Sequence, residues 1–161
     1  MVLRAPRFAW CYLVCMFSSM WLFTELPSGL GAAYGTSQAG IGLCRGATKN
    51  PSIIIKGVIP VAMAGVRGIY GLVLSIIILA SASSAGKEYT EFSGSLHLCA
   101  GICCGAAQFA SGITVGVIGE SSTQAIVTRP RLFAPAILIL IFSEALALYG
   151  LISGMILVQS R

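Results

Sequence analysis

The stretch ILILIFSEALALYGLI, from Ile137 to Ile152, sets one carboxylic acid, Glu144, in an otherwise uncharged apolar run. A charged side chain at the centre of a bilayer costs roughly 2.5 to 3.5 kcal/mol on insertion scales, so an acid kept there points to function. Desolvation disfavours the anion, which leaves the neutral, protonated acid as the resting form beside lipid. Such a group passes lipid uncharged and releases its proton where water or a cation stabilises the carboxylate. That chemistry is proton carriage by Glu144; the plainer alternative is a glutamate that hydrogen-bonds a neighbouring helix and never titrates. Ser143 stands beside it, with a hydroxyl that either bonds back along its own helix or tunes the acid.

A second charge, Arg67, lies in the apolar run VIPVAMAGVRGIYGLV. Arg67 is 16 residues past Pro51 and Glu144 is 14 past Pro130, so on parallel helices their depths differ by about 3 Å. An ion pair within one chain, or between neighbouring copies, is geometrically open and would favour the carboxylate. Equally open is an arginine that snorkels or bonds backbone carbonyls without meeting the acid. Glu88, Glu91 and Glu120 fall at helix ends or loops and read as solvated, while Glu25 is ambiguous. His97, Cys99, Cys103 and Cys104 invite a metal reading, because residues four apart share a helix face. They occupy a glycine-studded apolar helix that needs no metal to fold, so with Cys11, Cys15 and Cys44 they read as small buried thiols, with no metal and no cofactor.

The elements that must position these groups follow from composition. Of 161 residues, 57% are hydrophobic and 9% charged, against about 25% charged in soluble domains. This describes a membrane protein with four helical spans, each needing about 20 apolar residues, and leaves no room for a soluble catalytic domain. The formal charge of +5 is scattered between apolar runs, where Lys and Arg anchor membrane segments, so nucleic acid is not the expected partner. Arg4 and Arg7 before an apolar run also suit a secretory leader. However, Glu25, Leu26, Pro27 and Ser28 match a cleavage site poorly and the run continues into a glycine-rich helix.

The apolar segments are 8–44, 53–82, 92–120 and 131–158, the second and fourth opening just after Pro51 and Pro130, where proline suits a first helical turn. A gapless shift of 79 residues pairs Gly40 with Gly119, Pro51 with Pro130, and Tyr70-Gly71-Leu72 with Tyr149-Gly150-Leu151. The chain is therefore read as a tandem duplication of a helical hairpin with parallel topology. Its parts are an N-terminal segment (1–7), a first hairpin (8–82), a connecting loop (83–91), a second hairpin carrying Glu144 (92–158) and a tail (159–161). Gly65 occupies the place equivalent to Glu144, so only one copy holds the acid. Glycines at 31, 35, 42 and 46, and at 101, 105, 112 and 116, repeat a four-seven-four spacing. In lipid, helices associate by close backbone approach. Gly31, Gly35, Gly42, Gly101, Gly105, Gly112 and Gly116 are accordingly expected to form a tightly packed inner layer, with the second and fourth helices outside. Arg45, Lys49, Lys56, Arg129 and Arg131 mark the first and third loops as cytosolic and the middle loop as lumenal, while Arg4, Arg7 and Arg161 argue the other way.

GAAYGT (31–36), VIPVAMAG (58–65) with IYGLV (69–73), and PRLF (130–133) leading into ILILIFSEALALYGLI closely resemble the ring proteolipids, or c-type subunits, of eukaryotic vacuolar-type (V-type) proton ATPases. The resemblance runs from Gly29 to Val158. It implies an all-α protein of four transmembrane helices whose copies form a rotating proteolipid ring, turned by ATP hydrolysis on other chains through a central stalk. By matching position, Glu144 is the family's proton-carrying glutamate, and its partner is an arginine on a static membrane subunit. Protons and lipid complete the partners, and the implied location is a vacuolar, lysosomal or other acidic endomembrane. A family form with its acid in an earlier helix is disfavoured by Gly65, whereas a closely similar fungal form, which keeps its acid in the last helix, stays open. Ser143 replaces a usual alanine, and Glu25, Pro27 and Arg67 also depart from the pattern. These departures suggest a divergent paralogue, and they leave open a structural or regulatory ring protein without efficient turnover.

Overall fold

The computed structural model describes residues 5–85 and 91–160. Residues 1–4, most of the connecting loop with Lys87 and Glu88, and Arg161 lie outside the described residues, as do the side chains of Arg7, Cys11, Cys15 and Glu91. Four helices follow in order: α1 (Ala5–Ala47), α2 (Ile54–Ala85), α3 (Glu91–Thr128) and α4 (Phe133–Gln159). Helix α1 thus begins inside the segment read as N-terminal, and α2 runs to Ala85, into the stretch read as the middle loop. At 1.5 Å per residue, the 43 residues of α1 reach about 65 Å and the 38 of α3 about 57 Å. Both exceed a hydrocarbon core about 30 Å thick. Among the described residues, three helical stretches, 51–83, 92–128 and 130–159, are long and apolar enough to cross a membrane.

The duplication is visible in the backbone. Short 3₁₀ turns at Pro51–Ile53 and Pro130–Leu132 open α2 and α4, each preceded by an extended residue, Asn50 and Arg129, and all these positions are 79 residues apart. Proline forces that extended conformation on the residue before it and then supplies a pre-set φ for the first turn. In the first copy the Asn50 side chain also accepts hydrogen bonds from the backbone N–H and hydroxyl of Ser52.

Helices α1 and α3 run parallel and meet along their glycines. A β-carbon added at Gly31 would lie 2.8 Å from the Cα of Phe109, one at Gly35 2.7 Å from the carbonyl of Gly112, and one at Gly42 2.6 Å from the Cα of Glu120. Gly116 approaches Gly35, and Gly105 lies against the Phe23 carbonyl, which Pro27 leaves without its usual i+4 N–H donor. Gly101 is buried as well. Backbone thus packs on backbone, the close approach by which helices associate where lipid removes any hydrophobic drive. Helix α2 folds back on α1, with Gly57 against Leu43, Gly68 against Ala32 and Gly71 against Ser28, and α4 folds back on α3, with Gly150 against Ala107 and Gly154 against Ala100. The outer faces of α2 and α4 expose Ile55, Ile69, Ile76, Leu138, Phe142 and Ile156, as a surface facing lipid or another copy requires.

Candidate proton-binding site

Helix periodicity places the key side chains. The inward stripe of α2 is Pro60, Ala64, Arg67, Gly71, Leu74 and Ile78, a three-four alternation that brings one face round to its neighbours. Arg67 sits in its middle and is wholly buried. The inward stripe of α4 is Leu140, Ser143, Ala147, Gly150, Leu151, Gly154 and Val158. Glu144 is the next residue round from Ser143 and lands at the border of that face, its side chain 17% exposed.

Arg67 and Glu144 come together: Nη2 of Arg67 lies 3.1 Å from Oε2 of Glu144. The contact is an ion pair without hydrogen-bond alignment, since neither atom has an aligned hydrogen-bond partner. The other guanidinium nitrogens are engaged. Nη1 donates to the Met63 carbonyl at 2.6 Å, and Nε donates to the Ser111 hydroxyl at 2.8 Å. Ser111 in turn donates to the Ser143 carbonyl at 2.7 Å. A polar chain therefore runs from α2 through α3 to the peptide just before Glu144, and the arginine both meets the acid and bonds a backbone carbonyl. The Tyr70 hydroxyl, one turn along α2, interacts with the same carboxylate.

Ser143 does not bond back along its own helix. Its hydroxyl lies 3.2 Å from that of Ser111 and 3.4 Å from the Ser111 carbonyl, so it ties α4 to α3. One turn away, Gln108 donates to the Ala147 carbonyl at 2.9 Å, while its Oε1 is buried with no hydrogen-bond partner. Sequence reasoning misses Ser111, Gln108 and Tyr70 as site residues. The signal that could have found two of them is the spacing of Gln108 and Ser111, three apart in the largely apolar stretch 98–119 of α3.

Among the described residues, Glu25, Glu120 and Lys56 lie outside this site, whereas the Cys104 thiol accepts from Gln108 at 4.0 Å. Glu25 on α1 has one buried oxygen, Oε2, without a hydrogen-bond partner, close to Gly71. Glu120 pairs with Arg45 at 2.8 Å across the ends of α1 and α3, exposed to the surroundings. Lys56 caps the ring of Phe133, 5.4 Å from its centroid, and links the starts of α2 and α4. His97 and Cys104 are buried, but Cys44, Cys99 and Cys103 are exposed free thiols, which corrects the reading of these cysteines as buried. The i, i+4 pair Cys99 and Cys103 shares the outward face of α3, while His97 and Cys104 point inward. Among the described residues no three His, Cys, Asp or Glu side chains gather as metal ligands.

Known proteins resemble this chain over most of its length. It is 44% identical over 128 residues to a V-type proton ATPase 16 kDa proteolipid of Caenorhabditis elegans, the second of that organism's c-type subunits, spanning 80% of each chain. It is 45% identical over 130 residues to the c'-type V-type proton ATPase subunits of Saccharomyces cerevisiae and Eremothecium gossypii, spanning 81% of this chain and 79% of each relative. The sequence profile of the ATP synthase C-subunit family matches twice, at residues 27–78 and 98–157, once on each hairpin. The chain belongs to the ATP synthase C-subunit family, the membrane-ring proteolipids of rotary ATPases.

Proposed function

We propose that this chain is a proteolipid of the proton-translocating ring of a vacuolar-type ATPase, with Glu144 as its proton-binding group. The observation that carries the reading is the position of Glu144: an acid at the middle of an apolar helix, at the edge of the packed face, its side chain 17% exposed while Oε2 is buried against Arg67. A ring turning against a static subunit brings that edge alternately to lipid and to a partner cation, and an arginine on the static subunit fits that role. Copies of this chain or its paralogues form the ring, the peripheral ATPase sector drives it through a central stalk, and the host membranes are acidic endomembranes such as vacuoles or lysosomes.

The experiment is proton transport by isolated vesicles carrying Glu144→Gln, normalised to the amount of protein in the membrane. The amide keeps shape and hydrogen-bonding capacity but cannot release a proton, so transport is abolished. Transport per unit of membrane protein that matches the parent's, whatever the level of the variant, would refute the assignment. A second reading, a ring paralogue with inefficient turnover, is favoured by one specific observation: the acid is already paired with Arg67.

A further inference from the structure

An acid alone in a membrane is neutral when protonated. The Arg67–Glu144 pair reverses that count, because it is neutral when the acid has lost its proton and carries +1 when the acid holds one. Guanidinium does not give up its charge within a protein. Nor does Arg67 have a route to water: it is wholly buried and fastened to Ser111 on α3 and to the Met63 carbonyl.

We propose that Arg67 is a resident counter-ion that makes unprotonated Glu144 the lipid-compatible form of the site, so that this copy traverses the lipid-facing arc without a proton on a share of its passages. The inference rests on Glu144 being the proton-binding group. Uptake places a proton from water on a carboxylate oxygen of Glu144, release returns it, and Arg67 remains a cation throughout. Each uptake therefore leaves a buried guanidinium without its counter-charge, which opposes loading. The groups around the pair do not supply a replacement. From α2 there is Tyr70, whose hydroxyl interacts with the same carboxylate. From α3 come Ser111 and Gln108, both uncharged. From α1 the nearest acid is Glu25, beside Gly71 one turn along, and Arg67 pairs with Glu144 rather than with it. A ring built with this chain then moves fewer protons per turn than one in which every acid stands alone.

The test is the rate at which dicyclohexylcarbodiimide labels Glu144 at neutral pH in vesicles carrying the assembled complex, since the reagent requires the protonated acid. Wild type labels slowly. Arg67→Met and, as a second neutral variant, Arg67→Gln label about tenfold faster or more, the size expected when a cation within 4 to 6 Å is removed. Gly112→Ala, which loosens the neighbouring seam without touching a charge, labels at the wild-type rate. Neutral variants that label no faster than wild type, or a Gly112→Ala rate as high as theirs, would overturn the proposal. Glu144→Gln run in parallel, with transport compared per unit of protein in the membrane, keeps the two readings apart: loss of transport upholds the carrier role, whereas continued transport removes it whatever the Arg67 variants do.

Discussion

Gly112→Ala tests whether the α1–α3 seam holds the fold. A β-carbon at Gly112 would lie 2.7 Å from the Cα of Gly31 and closer still to that residue's carbonyl group. Carbon atoms in comfortable contact are about 3.5 to 4.0 Å apart, so α1 must retreat by about 1 Å. The obstruction is backbone, which cannot rotate away, and overpacking of this kind typically costs about 1 to 3 kcal/mol, here at the upper end. Alanine returns roughly 1 kcal/mol of helix propensity. The expected net loss is about 2 kcal/mol, close to a thirtyfold change in the folded-to-unfolded ratio. Cys104 is fully buried, so the assay is the rate of maleimide modification at Cys104 in detergent, in a chain whose other cysteines are serine. Gly40→Ala is the companion measurement. A β-carbon there meets no heavy atom within 4 Å, so that variant is expected to be as stable as the parent or slightly more so. Equal modification rates in Gly112→Ala and Gly40→Ala would refute the seam argument.

Two further outcomes follow from the charged groups. Glu144→Gln alone strands the buried guanidinium of Arg67, and removing one partner of a buried pair costs roughly 3 to 5 kcal/mol; membrane levels measured by immunoblot should fall and should recover in the double variant Arg67→Met/Glu144→Gln. Arg45→Ala breaks the pair with Glu120, but exposed pairs contribute only about 0.2 to 1 kcal/mol, so the abundance of the assembled chain should stay within twofold of the parent.

The architecture was legible because membrane packing leaves coarse traces in sequence. Glycine stripes at 31, 35 and 42 and at 105, 112 and 116 are spacings that only close backbone contact explains, and the structure places them at such contacts. Pro51 and Pro130 mark the openings of α2 and α4 because proline constrains two residues at once. The depth of Arg67 relative to Glu144 could be counted, but whether they met could not, since helix rotation decides it and depth does not. Ser143 shows the same limit: by sequence its hydroxyl either bonded back along its own helix or tuned the acid, and its partner is a third group, Ser111 on another helix. Ser111 and Gln108 left only a weak trace, their three-residue spacing, for a related reason. Small polar groups are common in glycine-rich helices, and their importance comes from the partner across the interface. Cys99 and Cys103 misled because apolar composition says that a residue avoids water, not whether it faces protein or lipid.

The duplication explains why this pair can exist at all. Under the 79-residue shift, Glu144 corresponds to Gly65 and Arg67 to Leu146, which is 61% exposed. Neither hairpin therefore contains both charges, and a ring of identical single hairpins would place acid and arginine in every unit or in none. Fusing two hairpins lets the copies diverge, the second keeping the acid and the first acquiring the cation. Because α2 and α4 run parallel from turns at matching positions, a residue gained at the mid-depth of α2 automatically meets the level of the acid on α4. One substitution in the first hairpin is then enough to change the charge balance of a site whose acid lies in the second, without disturbing the apolar motif around Glu144. That separation lets the motif persist intact while its acid gains an ion-pair partner from another helix.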